Sequence, residues 1–146
     1  SLLQKARSCS SYRKLHEVFY KVMQEYFEML KTNMAGGNNK DFLKAKIYID
    51  RHYDENLTLE VLAKEVHMNP YYFSSFFKKN AGENFKDYVS RVRVLHAVSL
   101  LVWTDLKAYE IAMQIGFSDA RVFSENFQRI YHETPNAYRK RAKQVQ

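Results

Sequence analysis

The chain has 146 residues, 46% of them apolar and 15% aromatic, enough for a packed core and against wholesale disorder. Four glycines and two prolines are few for a loop-rich or all-β protein, and one cysteine, Cys9, permits neither an internal disulfide nor a multi-cysteine zinc site. A net charge of +7 favours a polyanionic partner without choosing between nucleic acid and membrane surface, while no apolar run approaches the roughly 20 residues needed to cross a bilayer.

In chain order, the first signal is a helix over about residues 11–32. Leu15, Phe19, Val22, Tyr26 and Met29 recur at alternating steps of four and three, and Val18, Met23, Phe27 and Leu30 widen the apolar face. This spacing fits a short dimerising seam or a helix packed on a neighbouring domain. Met34-Ala35-Gly36-Gly37-Asn38-Asn39 then reads as a linker. It divides residues 1–39, a helical connector or homodimerisation segment, from a domain over residues 40–146.

Within that domain the pattern is short helices and tight turns. Lys40–His52 and Thr58–Val66 are the first two. Asn69-Pro70 supplies an N-cap followed by proline at the first helical position, and the helix it opens stops near Gly82. A long helix is expected from Asn84 to about Trp103 or Thr104, then Ala108–Ile115 and Asp119–Tyr131, and a last helix opened by Thr134-Pro135. No alternating apolar pattern of useful length occurs, so an all-α fold is expected.

The domain repeats itself. Leu62-Ala63 recurs as Ile111-Ala112, Val66 as Ile115 and Met68 as Phe117, each 49 residues on. Beyond the turn the offset is 50: Phe73 matches Phe123, Ser74 matches Ser124, Phe77 matches Phe127 and Tyr88 matches Tyr138. One residue inserted in the second turn accounts for the change. Each copy has helix-turn-helix grammar, the first over about residues 58–80 and the second over about 107–131. Ala63 and Ala112 fall where two helices cross, and Gly116 falls where the turn calls for a left-handed backbone. His67 holds the matching place in the first copy.

The second helix of each copy divides into faces. Phe73, Phe76 and Phe77 point to a core, leaving Tyr71, Ser74, Ser75 and Lys78 outside at i, i+3, i+4 and i+7. Phe123, Phe127 and Ile130 do the same in the second copy, leaving Arg121, Ser124, Glu125 and Gln128 outside. Such faces suit a DNA major groove, and Lys79 and Arg129 beside them suit phosphate contacts. Ordinary solvated faces would explain one such helix, but less readily two duplicated ones on a basic domain. The long helix, about 30 Å for 20 residues, nearly matches the roughly 34 Å between successive major grooves on one side of a duplex.

The motifs Leu59-x-x-Leu62-Ala63, Asn69-Pro70-x-x-Phe73-Ser74-x-x-Phe77-Lys78-Lys79 and Gly82-x-x-Phe85-x-x-Tyr88 resemble the AraC family of transcription regulators. So do Arg91-Val92-Arg93-x-x-x-Ala97-x-x-Leu100-Leu101, Ile111-Ala112-x-x-Ile115-Gly116-Phe117-Ser118-Asp119, Phe123-Ser124-x-x-Phe127 and Thr134-Pro135-x-x-Tyr138-Arg139. The resemblance covers about Lys40 to Arg141. It implies a seven-helix domain with two recognition helices in adjacent major grooves, activating transcription beside RNA polymerase at a double-stranded operator. It also implies a sensor or receiver domain upstream, and a chain opening on Ser1 is expected to be a fragment lacking that part. No cofactor or metal is implied, and a cytoplasmic, bacterial setting is expected.

Carried onto this chain, the base-reading places are Tyr71, Ser74 and Ser75, then Ala120, Arg121, Ser124 and Glu125, with Lys78, Lys79, Gln128 and Arg129 at phosphates. Arg121 suits a base or a phosphate equally. Glu125 stands where the family often has arginine; a carboxylate accepts from cytosine N4 but repels phosphate. Ala120 offers no hydrogen bond, His132 stands where glycine is usual, and Lys107 replaces a capping serine.

Two other classes of function compete with this one. His16, His52, His67, His96 and His132 are scattered without metal-ligand spacing, and no phosphate loop or nucleophile elbow is present, so catalysis is not expected. A helical interaction or membrane-surface module would also be aromatic and basic. The charge, 17 basic minus 13 acidic or +4 over residues 40–146 and 6 minus 3 or +3 over 1–39, is modest for a nucleic-acid binder. The motif pattern, not the charge, carries the DNA reading.

Overall fold

A computed structural model of the chain describes residues 16–25 and 37–144. Among the described residues every regular element is helical and there is no strand. Helix α1 is described over residues 16–25. The rest are α2 (Gly37–His52), α3 (Leu59–Glu65), α4 (Pro70–Ala81), α5 (Phe85–Trp103), α6 (Ala108–Gln114), α7 (Ala120–Tyr131) and α8 (Pro135–Gln144). The all-α expectation holds.

The chain divides into two compact units, residues 1–43 and 44–146. In the first, α1 is helical as the seam spacing requires, and Val18, Phe19 and Val22 are exposed. Leu15, Tyr26, Phe27, Met29 and Leu30 lie outside the described residues. One reading is corrected. Met34–Asn39 reads as linker, yet α2 starts at Gly37, so Gly37, Asn38 and Asn39 are helical. Gly and Asn favour helix starts as well as loops, so composition alone misplaces this boundary.

The second unit shows the duplication in three dimensions. Turn residues 66–69 join α3 to α4 and residues 115–119 join α6 to α7, one residue longer, which accounts for the offset of 49 becoming 50. Both turns open alike. The Met68 N–H reaches the Ala63 carbonyl at 2.8 Å and the Phe117 N–H reaches Ala112 at 2.9 Å, while His67 and Gly116 donate to Lys64 and Met113. This pattern requires a left-handed residue at the helix end, and His67 (φ 57°) and Gly116 (φ 101°) provide it. Ala63 and Ala112 are wholly buried, which lets the paired helices cross closely.

The cores repeat as well. Phe73 and Phe77 have ring centroids 5.8 Å apart, and Tyr88 meets Phe77 edge-on at 5.2 Å. Fifty residues on, Phe123 and Phe127 are 5.9 Å apart and Tyr138 meets Phe127 edge-on at 5.6 Å. All four phenylalanines are fully buried. Each contributes about 2–3 kcal/mol by leaving water, and edge-on pairing adds about 1 kcal/mol. Ile130, expected in the core, is only half-buried.

α3 packs on α4 and α4 on α5; α6, α7 and α8 pack on the same α5 and on one another in sequence. Thus α5 is shared by both halves. Its start is capped by Asn84, whose side chain accepts from Asp87 N–H at 2.8 Å, as Thr134 accepts from Ala137 N–H at 3.1 Å before α8. Arg91 Nε donates to Glu83 at 2.8 Å, and Arg141 Nε to Glu133 at 3.1 Å, the same bracket repeated.

Candidate nucleic-acid interface

The two helices that follow the turns, α4 and α7, are built to present one face outward. Asn69 Oδ1 accepts from Tyr71 N–H at 2.8 Å and Asp119 Oδ1 from Arg121 N–H at 2.7 Å, so each helix starts at a fixed residue. Proline at the first position of α4 and the left-handed ends at Gly82 and His132 bound the helices at both ends. Three buried phenylalanines on α4 and two on α7 fix the rotation of each helix about its axis.

That rotation leaves Tyr71, Ser74, Ser75 and Lys78 exposed on α4, with Lys79 beside them. Tyr71 is 86% exposed, an unusual position for a large aromatic side chain with an apolar ring. On α7, Arg121, Glu125, Gln128 and Arg129 are exposed, while Ala120 and Ser124 are half-buried. Every residue named from the sequence as base-reading or phosphate-binding lies on one of these two helices.

Local partners modify the second face. Arg121 Nε lies 3.9 Å from Glu125 Oε1, one turn along, with both side chains largely in water. Such a pair contributes only a few tenths of a kcal/mol, so the guanidinium is readily redirected to another acceptor. Arg129 donates to Asn126 Oδ1 at 2.8 Å, which leans it along its own helix. No metal-binding cluster of His, Cys, Asp and Glu occurs among the described residues.

Two exposed side chains escape a reading by sequence. Tyr72 is 56% exposed and Val122 is 39% exposed, again 50 residues apart. Both sit about a quarter-turn from the outward centre line, a flank that a two-face division hides. A Val side chain there offers an apolar contact of the kind made to a thymine methyl.

The expected irregularities are also visible. Lys107 precedes α6 without a side-chain cap bond, because an ammonium has no acceptor. Only the return half of the cap is made, Lys107 N–H donating to Glu110 Oε2 at 2.8 Å. In the first copy Thr58 Oγ1 accepts from Val61 N–H at 3.2 Å.

Two helix-turn-helix units sharing one helix define a tandem DNA-binding domain, and sequence comparison assigns its lineage. A family model described as a helix-turn-helix domain matches residues 62–141. Regulatory protein PocR of Salmonella typhimurium is 43% identical over 96 residues, covering 66% of this chain and 32% of that protein. The lactose operon transcription activator of Staphylococcus xylosus is 30% identical over 125 residues, covering 86% of this chain and 44% of its own length. Among solved structures, the DNA-binding domain of AdpA, a global transcriptional factor in complex with a target DNA, matches 72% of this chain and 95% of its own. Its TM-score is 0.68 and its identity 25%. The chain belongs to the AraC family of DNA-binding transcription regulators. It spans less than half of the length of the curated relatives it matches. Among the described residues no helix is long and apolar enough to cross a membrane.

Proposed function

We propose that residues 40–146 bind a double-stranded operator sequence-specifically by inserting α4 and α7 into successive major grooves, and that the whole protein activates transcription. The observation that carries this reading is the repeated pair of outward faces, at an offset of 50 residues, on helices whose inner faces are locked by repeated phenylalanines. α5, 19 residues long, spans about 28 Å at about 1.5 Å per residue, close to one turn of B-DNA.

In this reading Tyr71, Ser74, Ser75, Ala120, Arg121, Ser124 and Glu125 face base edges, and Lys78, Lys79, Gln128 and Arg129 face phosphates. A matched relative is named as a transcription activator, which favours activation and a contact with RNA polymerase. The matched relatives are more than twice as long as the aligned region, which favours control by a further sensor or receiver domain. Residues 1–39 then act as connector, and the exposed Val18, Phe19 and Val22 suit self-association through residues 11–32.

Selection of bound sites from a random duplex library tests the proposal. Two short motifs centred about 10 base pairs apart are expected, with affinity falling steeply as salt rises. A flat salt response without a preferred sequence overturns it.

A further inference from the structure

Near the middle of α5, Arg93 makes contacts in both halves of the domain. Its Nε donates to the Tyr53 carbonyl at 2.7 Å and its Nη2 to the Glu55 carbonyl at 2.8 Å. These carbonyls belong to the segment that ends α2 in the first half. The same guanidinium lies 5.5 Å from the ring centre of Phe117, in the turn of the second helix-turn-helix. Burial holds its pKa below the usual arginine range, with Asp54 opposing the shift. The second turn also approaches the first half directly. A Cβ on Gly116 would stand 2.8 Å from the Tyr53 carbonyl oxygen, 2.9 Å from Arg93 Nε and 3.0 Å from Asp54 Cα. Glycine here therefore allows two backbone segments to touch, as well as supplying the positive φ.

We infer that Arg93, clamped between the Tyr53 and Glu55 carbonyls and the Gly116–Phe117 turn, is a positioning residue that fixes the angle between the two recognition helices and so the spacing of half-sites the protein accepts. The inference rests on the two-groove reading above. The main helix packing runs within each half, and α5 is the helix on which both halves pack. The shared helix sets the separation of the two halves, and contacts that bridge them, such as those of Arg93, bear on the angle between them. A planar fork with two charge-assisted hydrogen bonds and a ring beneath it resists rotation far better than a single contact. Tyr53 assists by stacking on His96 of α5 with centroids 3.8 Å apart and planes 4° from parallel, which seats residues 53–55 against the shared helix.

The second half provides an internal comparison. There Arg139 donates to the Leu101 and Thr104 carbonyls at 3.0 and 3.3 Å, and Lys143 pairs with Asp105 at 3.0 Å. These bonds close the end of α5 as Arg93 closes the end of α2. Of the two arginines, it is Arg93 that also lies against the turn of the other half. Closing a helix end thus accounts for Arg139 and for half of what Arg93 touches.

Each base pair inserted between two half-sites rotates the second groove by about 35° and moves it by about 3.4 Å, so a rigid clamp should accept one spacing. The test uses the full 146-residue chain and a duplex library that holds the selected half-sites fixed and varies the spacer. The wild type should lose about tenfold in affinity for one added or removed base pair, the usual size of a single-position mismatch. Arg93→Met, which keeps the stem and removes the donors, should lose less than about threefold for the same change, with each half-site motif unaltered. A second readout needs no DNA. Spin labels at Lys78→Cys and Gln128→Cys, with Cys9→Ser, should give a narrow distance distribution that broadens on Arg93→Met. If Arg93→Met loses its helical signal, Arg93→Lys decides: an ammonium engages one carbonyl at a time, so intermediate broadening is expected. Wild-type spacing preference and distance distribution in a folded Arg93 variant overturn the clamp. Recovery of only one half-site motif by the wild type instead overturns the two-groove reading, and the label distances still judge the clamp.

Discussion

His132 holds a backbone φ of 61° at the end of α7, in the turn position that Gly82 fills at 78° at the end of α4. Its N–H donates to the Gln128 carbonyl at 2.8 Å, as Gly82 donates to Lys78 at 3.0 Å. The hydrogen bond is the same, but a side chain in this region costs about 1 kcal/mol that glycine does not. His132→Gly is expected to stabilise the domain by about 0.5–1 kcal/mol, and Gly82→Ala to destabilise it by about 1 kcal/mol. A Cβ at Gly82 meets nothing within 4 Å, so that loss is purely conformational. Urea midpoints at constant slope measure both; an unchanged midpoint for His132→Gly would show the turn to be unstrained.

The contrast between those two residues shows what a sequence can carry. Phe73, Phe77, Phe123 and Phe127 are legible because helical periodicity exposes a buried face, and Gly116 because glycine marks a left-handed turn. The Arg93 clamp is not. Arg93 reads as one cation in Arg91-Val92-Arg93, and its hydrogen-bond partners are backbone carbonyls 38 and 40 residues away, which leave no mark in side-chain identity. Tyr72 and Val122 escape for a different reason: a helix has flanks, and sorting residues into inside and outside discards them. Gly37–Asn39 pass for linker because their composition fits a loop and a helix start equally well.

Asp50 should make the domain less stable at neutral pH than in mild acid. Desolvation raises its carboxyl from 3.8 to about 6, with Lys46 opposing the rise. The fold therefore prefers the protonated acid, and the contribution of this group falls as pH rises from about 4 to about 6, then stays flat. A rise of that size corresponds to about 3 kcal/mol at most. Asp50→Asn should be more stable than wild type at pH 7 by about 2 kcal/mol, with the gain vanishing near pH 4. A gain independent of pH would point to a packing effect instead.

Ala112 has no exposed surface where α6 crosses α7. Ala112→Leu adds three carbons that have no space to occupy, at a cost of about 1–3 kcal/mol. The strain falls on α7, so binding to the second half-site should weaken at a temperature where the domain is still folded, while the first motif is still selected. Loss of both motifs together, with helical content intact, would argue against separable units.

Lys107 leaves the first turn of α6 half-capped. Lys107→Thr restores the acceptor that Thr58 supplies to α3, and should add about 1 kcal/mol to stability. Thermal melts of Lys107→Thr and Lys107→Ala separate the cap from removal of the charge: only the threonine variant should rise by the full amount.

Reading bases and holding phosphates predict different losses along the two outward faces. Tyr71→Ala and Arg121→Ala should each cost about 1–3 kcal/mol on the selected site and little on unrelated DNA, so the preference relaxes at the positions they face. Lys79→Ala should weaken all duplexes alike and lower the log–log salt slope by about 1. Glu125→Gln removes a carboxylate from a surface that must approach phosphates and releases Arg121 from a pair at 3.9 Å. Its affinity for unrelated duplexes should therefore rise while discrimination at any cytosine it contacts falls. Equal loss on all sequences from Tyr71→Ala would move that side chain from the bases to the backbone, leaving α4 to specify through Ser74 and Ser75 alone.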